Sequence, residues 1–442
     1  MLREITDLHS INQGFKRIDY DYDLVSGNVN HVYFQKNQDD QFIHRYQYDA
    51  DNRLTQVETS NDNVHWDRDA AYQYYLHGPL KRMTIGNLNV QGLDYAYTLH
   101  GWLKGVNGNS LNASRDIGQD GYTGSNNAMV ARDVYGYSLH YYDNDYKSIN
   151  GWKSSQPTNY FIMAETSSSG FNNKVAQLYN GNISRMVTAL SKISNQVVGK
   201  AYEYDQLNRI SKAYTFDNYS LTNNTWNAGN ATGDFYSSYS YDANGNLLSL
   251  TRNAENNTAM DSLSYHYKTG TNQLLYVDDL IADGAFDYDI DDQQSNNYAY
   301  DKIGNLISDQ AEEIDEITWT VYGKIQSINR TSGSKKPSLS FEYTPDGHRV
   351  AKHVTDSNSR TTSTWYIRDA SGNIMSTYSR TWVEAGSNAA ITYMDVYDQL
   401  VIDQSYQSRI GLLDQQIGWH ANIPSATLDS IEDEVVLNHL YP

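Results

Sequence analysis

One phrase recurs along this chain and constrains its fold more than any other feature: an aromatic residue, any residue, a second aromatic residue and Asp, then two variable residues, Gly or Asn, a polar residue, and Leu, Ile or Val. Its clearest copies are Tyr46-Gln47-Tyr48-Asp49-Ala50-Asp51-Asn52-Arg53-Leu54, Tyr202-Glu203-Tyr204-Asp205-Gln206-Leu207-Asn208-Arg209-Ile210, Tyr239-Ser240-Tyr241-Asp242-Ala243-Asn244-Gly245-Asn246-Leu247 and Tyr298-Ala299-Tyr300-Asp301-Lys302-Ile303-Gly304-Asn305-Leu306. Looser copies align on the turn: Tyr20/Tyr22 before Gly27, Tyr72/Tyr74 before Gly78, Tyr95/Tyr97 before Gly101, Ile317/Trp319 before Gly323 and Phe341/Tyr343 before Gly347. A degenerate copy runs from Asp369 to Ile374.

Residues two apart lie on one face of a strand, so each aromatic pair forms a stripe. Asp and Asn favour the turn, Gly supplies positive φ, and the aliphatic residue starts a return strand. Each copy therefore predicts a β-hairpin. A lone hairpin is marginal in water, so neighbouring copies must pair edge to edge. The second aromatic falls at 22, 48, 74, 97, 204, 241, 300, 319 and 343, with successive differences of 26, 26, 23, 107, 37, 59, 19 and 24. Uninterrupted, the period lies in the low to mid twenties, and the two longest intervals mark insertions.

Composition agrees with half-buried sheets rather than one solid core. The 39% hydrophobic fraction already counts 39 Tyr. With Tyr set aside and Gly counted, about 37% remains, against the roughly 45–50% usual for globular chains. Tyr suits such a surface because its ring packs while its hydroxyl stays wet. The charge balance, 33 Lys+Arg against 53 Asp+Glu for a net −20, lacks the cationic footprint of a nucleic-acid binder. Cys is absent, which excludes disulfides, zinc-thiolate sites and cysteine nucleophiles. The N-terminal Met1-Leu2-Arg3-Glu4 lacks the apolar segment of a signal peptide, and no apolar run is long enough for a membrane-spanning helix.

The phrase organises the chain into a β-repeat sheet over 1–104, an insertion over 105–200, a second β-repeat sheet over 201–414, and an acidic tail over 415–442. Within the insertion, Gly108 to Asn127 reads as a long loop rich in Gly, Asn, Ser and Asp. Tyr135–Tyr142 reads as a degenerate hairpin, and 172–198 suits either a short helix or a strand. Lys153–Ser169 is polar and expected at the surface; Ser425–Leu440 suits a short helix or a frayed tail.

These copies resemble the YD repeats of RHS proteins, bacterial toxin C-subunits and teneurins, over residues 15–414. Two further phrases are similar to segments of RHS shells: Tyr95-Ala96-Tyr97-Thr98-Leu99-His100-Gly101-Trp102-Leu103-Lys104-Gly105-Val106, and the late Ser405-Tyr406-Gln407-Ser408-Arg409-Ile410-Gly411-Leu412. The resemblance implies an all-β fold in which tandem hairpins form a large curved or spiralling sheet, part of a hollow RHS shell. Complete members carry a core segment, in several cases with an aspartyl self-cleavage pair, and a C-terminal effector. Nothing after Leu412 matches either, so an incomplete shell segment is expected.

Candidate chemistry is sparse. The Asp of each copy (Asp49, Asp205, Asp242, Asp301) has a turn-capping job, and repetition argues for structure, since an active site needs one special residue. Asp287, Asp289 and Asp291 alternate as in a calcium loop, but the Gly position holds Asp292 and no Glu closes the loop. A solvated acidic loop is the preferred reading. HExxH, G-x-S-x-G and P-loop patterns are absent. No catalytic, cofactor-binding or metal-binding residue is assigned, and no cofactor is expected. The expected function is non-enzymatic: a structural segment of a shell that encapsulates a polypeptide toxin or effector. Its implied partners are that effector or the remaining shell and core. The alternative is an extracellular adhesion or glycan-binding protein, since aromatic rows can stack sugars; an enzyme working from the insertion ranks last. As part of a larger protein the chain is expected to be secreted or on a cell surface.

Overall fold

The computed structural model describes residues 2–7, 14–147, 170–191, 194–227, 229, 231–286 and 289–383. The late Ser405–Leu412 phrase, Lys153–Ser169 and the 415–442 tail lie outside them. Among the described residues the fold is all-β: 27 strands, one short 3-10 turn at Glu255–Asn257, and no α-helix. Among the described residues, no helix is therefore long and apolar enough to cross a membrane.

The chain divides into two compact units. The first holds residues 1–72, 85–90 and 298 onward. Its strands β1 (Leu2–Asp7), β2 (Phe15–Tyr22), β3 (Val29–Phe34), β4 (Phe42–Tyr48), β5 (Leu54–Ser60) and most of β6 (Asp67–Tyr74) each pair antiparallel with the one before. The second unit holds residues 73–84 and 91–297, with β7 (Leu80–Ile85) almost wholly within it. There β8 (Gln91–Tyr97), β9 (Leu103–Val106), β10 (Tyr135–His140), β11 (Arg185–Leu190), β12 (Ser194–Tyr204) and β13 (Ile210–Phe216) form consecutive antiparallel pairs. A small side hairpin, β14 (Tyr219–Ser220) and β15 (Thr225–Trp226), precedes β16 (Ser237–Tyr241), β17 (Leu247–Asn253), β18 (Ala259–Tyr267) and β19 (Leu274–Asp279), which continue the sheet from β13. The first unit also contains an eight-stranded antiparallel meander: β20 (Tyr298–Tyr300), β21 (Leu306–Asp309), β22 (Ile314–Trp319), β23 (Ile325–Arg330), β24 (Ser338–Tyr343), β25 (Arg349–Thr355), β26 (Arg360–Arg368) and β27 (Ile374–Val383).

The four clearest copies are hairpins of one design, whereas the Tyr20/Tyr22 copy closes one residue later, Asp23 N to Asn28 O (2.8 Å). In the four, the Asp N–H bonds the carbonyl four residues on, and the residue at the third place donates back to the Asp carbonyl, as in Asp242 N to Asn246 O (3.0 Å) and Gly245 N to Asp242 O (3.2 Å). That third residue has positive φ, +94° at Gly245, +97° at Gly304 and +61° at Asn52, which explains why Gly or Asn occupies it. A register shift falls immediately before the second aromatic, which then sits opposite the return aliphatic: Tyr48 with Leu54, Tyr204 with Ile210, Tyr241 with Leu247, Tyr300 with Leu306. Such a bulge tightens the local twist at each turn.

The second aromatic also ties its hairpin to the preceding one. Tyr241 Oη donates to the Ile210 carbonyl at 2.8 Å, Tyr267 Oη to Leu247 at 2.9 Å, Tyr343 Oη to Ile325 at 2.9 Å and Tyr48 Oη to Val29 at 3.0 Å. Where Trp319 replaces Tyr, its Nε1 donates to Leu306 at 2.7 Å. In every case the acceptor is the first residue of the previous return strand, at the rim where backbone pairing between hairpins has ended. Tyr is thus chosen for a ring that packs and a donor that reaches across.

This ladder identifies two units that the sequence reading did not place. Tyr265/Tyr267 form a copy within the interval of 59, hidden because Lys268 stands where Asp is usual. Tyr141 Oη donates to the Leu103 carbonyl (2.8 Å), and Ile183 O accepts Tyr204 Oη (2.8 Å). The 105–200 insertion is therefore a further hairpin, β10 and β11, whose turn has been replaced by a long excursion. Tyr135–His140 is correspondingly one strand rather than a hairpin. Within 172–198, Arg185–Leu190 and the residues from Ser194 on are strand, while 172–184 form turns and bends, neither helix nor strand.

Substituting Gly304 by Val forces a β-branched residue to a φ near +97° in a turn with open space around it, so the cost is conformational, about 1–3 kcal/mol. Tyr241→Phe removes one ladder bond and is expected to cost about 0.5–1.5 kcal/mol. Urea unfolding of both variants checks the order; a larger loss for the phenylalanine would make the hydroxyl ladder, not the turn, the dominant constraint.

In the first unit the earliest and latest described hairpins share one core. Ile18, Tyr20, Val32, Phe34 and Phe42 pack with Ile367, Met375 and Tyr378. Tyr20 Oη accepts the Ala370 N–H at 2.6 Å, and Tyr378 Oη donates to Asp40 Oδ2 at 3.0 Å, beside the Lys16–Asp40 ion pair. His44, between Phe42 and Tyr46, is fully buried, and burial lowers it from 6.5 to about 4. Above pH 6.5 it is neutral whether folded or not. As pH falls from 6.5 towards 4 the unfolded chain takes up the proton and the folded chain resists it, so stability is lost, by about 3 kcal/mol at most. Replacing His44 by Phe should flatten that part of the stability–pH curve, measured by denaturant titration from pH 7.5 to 4.

Candidate functional site

The Asp residues of the repeated phrase all serve their turns. Asp49 Oδ1 accepts the N–H groups of Asp51 and Arg53, both at 2.9 Å, and the same pattern holds at Asp205, Asp242 and Asp301. Oδ2 takes the Arg53 or Arg209 guanidinium, or the Asn246 or Asn305 amide. Asp49 is held below the usual carboxylate range, first by the Arg53 side chain; Asp205 likewise, first by the Arg209 N–H.

Of the acidic stretch at 283–292, Asp287 lies outside the described residues. Asp291 accepts the Gly284 N–H (2.9 Å), and Asp292 accepts the Asp279 N–H (2.6 Å). Asp289 instead approaches Asp261 on β18 and Asp279 on β19, their carboxylate oxygens within 4.8 Å of one another. Arg252 on β17 pairs with Asp261 at 2.5 Å.

A denser carboxylate cluster stands where β7 and β8 meet the loop after β9. Arg82 on β7 projects its guanidinium between Asp94 of β8 and Asp120 of the loop: Nη1 bonds Asp94 Oδ2, and Nη2 bonds Asp120 at 2.7 and 3.0 Å. Gly92 and Gly118 border this contact because a Cβ at either would sit about 2 Å from those charged groups. Asp116 joins through Oδ2, which accepts the Asp120 N–H at 3.1 Å, and Asp133 lies against Asp116 from the far end of the loop. Asp94, Asp116 and Asp120 are buried, their ligand oxygens within 4.8 Å of one another. Burial above all, then the neighbouring carboxylates, raises Asp133; burial raises Asp94 to about 7 against the pull of Arg82. Four carboxyl groups thus share one cluster with a single guanidinium, which bonds two of them. The sequence reading saw only a polar loop here, since the members are spread from 94 to 133.

One buried Ser–His pair also occurs in the insertion. Ser138 Oγ lies 3.1 Å from His140 Nε2, while His140 Nδ1 meets Lys104 Nζ at 3.2 Å, and Lys104 pairs with Asp145 at 2.6 Å. Ser138, His140 and Lys104 are completely enclosed, so no substrate reaches the hydroxyl in this conformation. The arrangement is a polar network inside the sheet.

Fold and site together define a tandem β-hairpin protein, its hairpins joined edge to edge within each unit and the loop after β9 anchored by carboxylates. No family model and no curated protein matches the chain. Among solved structures it is similar to TcdB2-TccC3 without its hypervariable C-terminal region, at 13% identity and a TM-score of 0.48, over 88% of this chain and 17% of that one. It is also similar to a porin-like protein from Bacteroides uniformis ATCC 8492, at 9% identity and a TM-score of 0.16, over 84% of this chain and 89% of the other. The chain thus spans 17% of the length of TcdB2-TccC3 as solved.

Proposed function

We propose that the chain is a non-enzymatic segment of an RHS-type shell, whose hairpins line a compartment for a polypeptide cargo such as a toxin or effector. The observation that carries this reading is the donor ladder. In the clearest copies Asp49, Asp205, Asp242 and Asp301 cap their own turns, and Tyr48, Tyr204, Tyr241, Tyr267, Trp319 and Tyr343 bond back to the preceding hairpin. A chain built this way extends a sheet by adding units, and its repeated residues are committed to that extension. The YD-type phrase supplies the family resemblance, and the cargo is the class of partner such a sheet serves in that family.

The test is protection. The chain is co-expressed with the polypeptide encoded directly downstream of it and the purified complex is digested with trypsin. The partner should survive while the sheet is native and be cut once it is unfolded in urea. Equal digestion of the partner with and without the chain would overturn the proposal.

A further inference from the structure

We propose that the Asp94–Asp116–Asp120 group, with Asp133 beside Asp116, binds a divalent cation of the calcium type, which fastens the 107–133 loop to β8. The argument starts from charge. One guanidinium, Arg82, faces four carboxylates, and its hydrogen bonds reach only Asp94 and Asp120. Asp116 and Asp133 are left facing each other. Asp116 is only 4% exposed and its Oδ1 has no hydrogen-bond donor; Asp133 Oδ1, also shielded from solvent, has none either. Two buried carboxyl groups turned towards each other cannot both carry a bare negative charge, so either a shared proton on Asp133 or a cation lies between them, and the calcium titration below distinguishes the two.

The donor set decides what kind of ion. Every candidate ligand is a carboxylate oxygen, with no His or Cys among them, which suits a hard cation. Calcium accepts irregular, crowded oxygen shells at 2.3–2.6 Å, whereas magnesium demands near-octahedral geometry and gives up water reluctantly. The placement also suits a fastener. Asp94 comes from the sheet, Asp116 and Asp120 from the middle of the loop, and Asp133 from its end, two residues before β10 begins. A single ion held by Asp94, Asp116 and Asp120 would join the sheet to the loop.

Arg82 makes the site selective by charge. It already compensates about one negative charge, so with Asp133 protonated a divalent ion brings the cluster to neutrality where a monovalent ion does not. The Asp261–Asp279–Asp289 group has the same outline, a strand carboxylate paired to an Arg on the preceding strand, and serves as an internal comparison.

The experiment uses the full chain, stripped with EGTA and titrated with calcium chloride by isothermal calorimetry, with thermal unfolding followed in parallel. Wild type should bind calcium with a Kd of about 1 mM or tighter, and its Tm should rise by several degrees. Asp116→Asn should weaken that binding at least tenfold and abolish most of the Tm rise, while Asp289→Asn leaves it in place. Trypsin cleavage within 107–133 should be slower with calcium than with EGTA. Identical melting curves and no binding heat for wild type in calcium and EGTA would overturn the proposal. So would calcium binding that survives Asp116→Asn but is lost in Asp289→Asn, which would assign the ion to the other cluster. If Asp116→Asn folds poorly, the EGTA–calcium comparison on wild type and on Asp289→Asn still decides.

Discussion

Replacing Lys104 by Met is expected to destabilise the second unit by about 3–5 kcal/mol, the range for removing one partner of a buried ion pair. Lys104 on β9 is completely enclosed, and Asp145, 2.6 Å from its Nζ, has a side chain only 1% exposed. The remaining support for Asp145 is the Tyr141 N–H, 2.9 Å from Oδ2. His140 cannot take over the positive role: burial first, then Lys104 and Arg185, hold it well below its ordinary value, so it is neutral and accepts from Lys104. With Met at 104, Asp145 stays buried with its charge uncompensated, or takes up a proton at a cost in stability. Urea unfolding followed by Trp fluorescence measures the loss. The double variant Lys104→Met/Asp145→Leu should recover most of it, because removing both charges leaves no orphan. A single variant as stable as wild type would show that water reaches Asp145.

Trp226→Ala is expected to cost about 3–5 kcal/mol for a different reason. Trp226, on the small side hairpin, is 2% exposed and closes a core of Phe171, Val187, Ala189, Val197, Ala201 and Phe216. Its ring centroid lies 4.5 Å from that of Phe171 and 5.2 Å from that of Tyr219. Gly199 on β12 makes room for it: a Cβ there would stand 2.7 Å from both Trp226 and Phe171. The indole thus fills space that the main sheet has cleared at a specific position, and Ala leaves a void the rigid strands cannot close. Gly199→Ala tests the same contact from the other side and should also destabilise, by overpacking, about 1–3 kcal/mol. Equilibrium unfolding of the two variants separates the cases, since loss from Gly199→Ala without loss from Trp226→Ala would place the constraint on the backbone instead.

The hairpins were legible in the sequence because everything that makes them is local. Alternation puts both aromatics on one face, Asp caps its own turn, and Gly or Asn supplies a positive φ, all within nine residues. The copy at Tyr265/Tyr267 escaped because Lys268 replaces the turn Asp and the turn closes one residue later, at Gln273. The copy begun by Tyr141 escaped because its return strand starts more than forty residues on, at Arg185.

By itself, then, the sequence determined the repeating unit, the all-β class and the reason for so many tyrosines. Only the tertiary structure decided which distant units meet. The hydroxyl ladder depends on neighbouring hairpins being in register, which no single copy encodes. The shared core joins Ile18, Tyr20 and Phe34 to Ile367, Met375 and Tyr378, and Tyr20 to Ala370, across some 350 residues of chain. The carboxylate cluster is of the same kind: Asp94 looks like an ordinary strand residue and Asp116, Asp120 and Asp133 like ordinary loop acids, until the sheet carries them to one guanidinium. Local rules fix turns and faces because their partners lie a few residues away; a site made of residues from separate strands and loops exists only once the strands have paired.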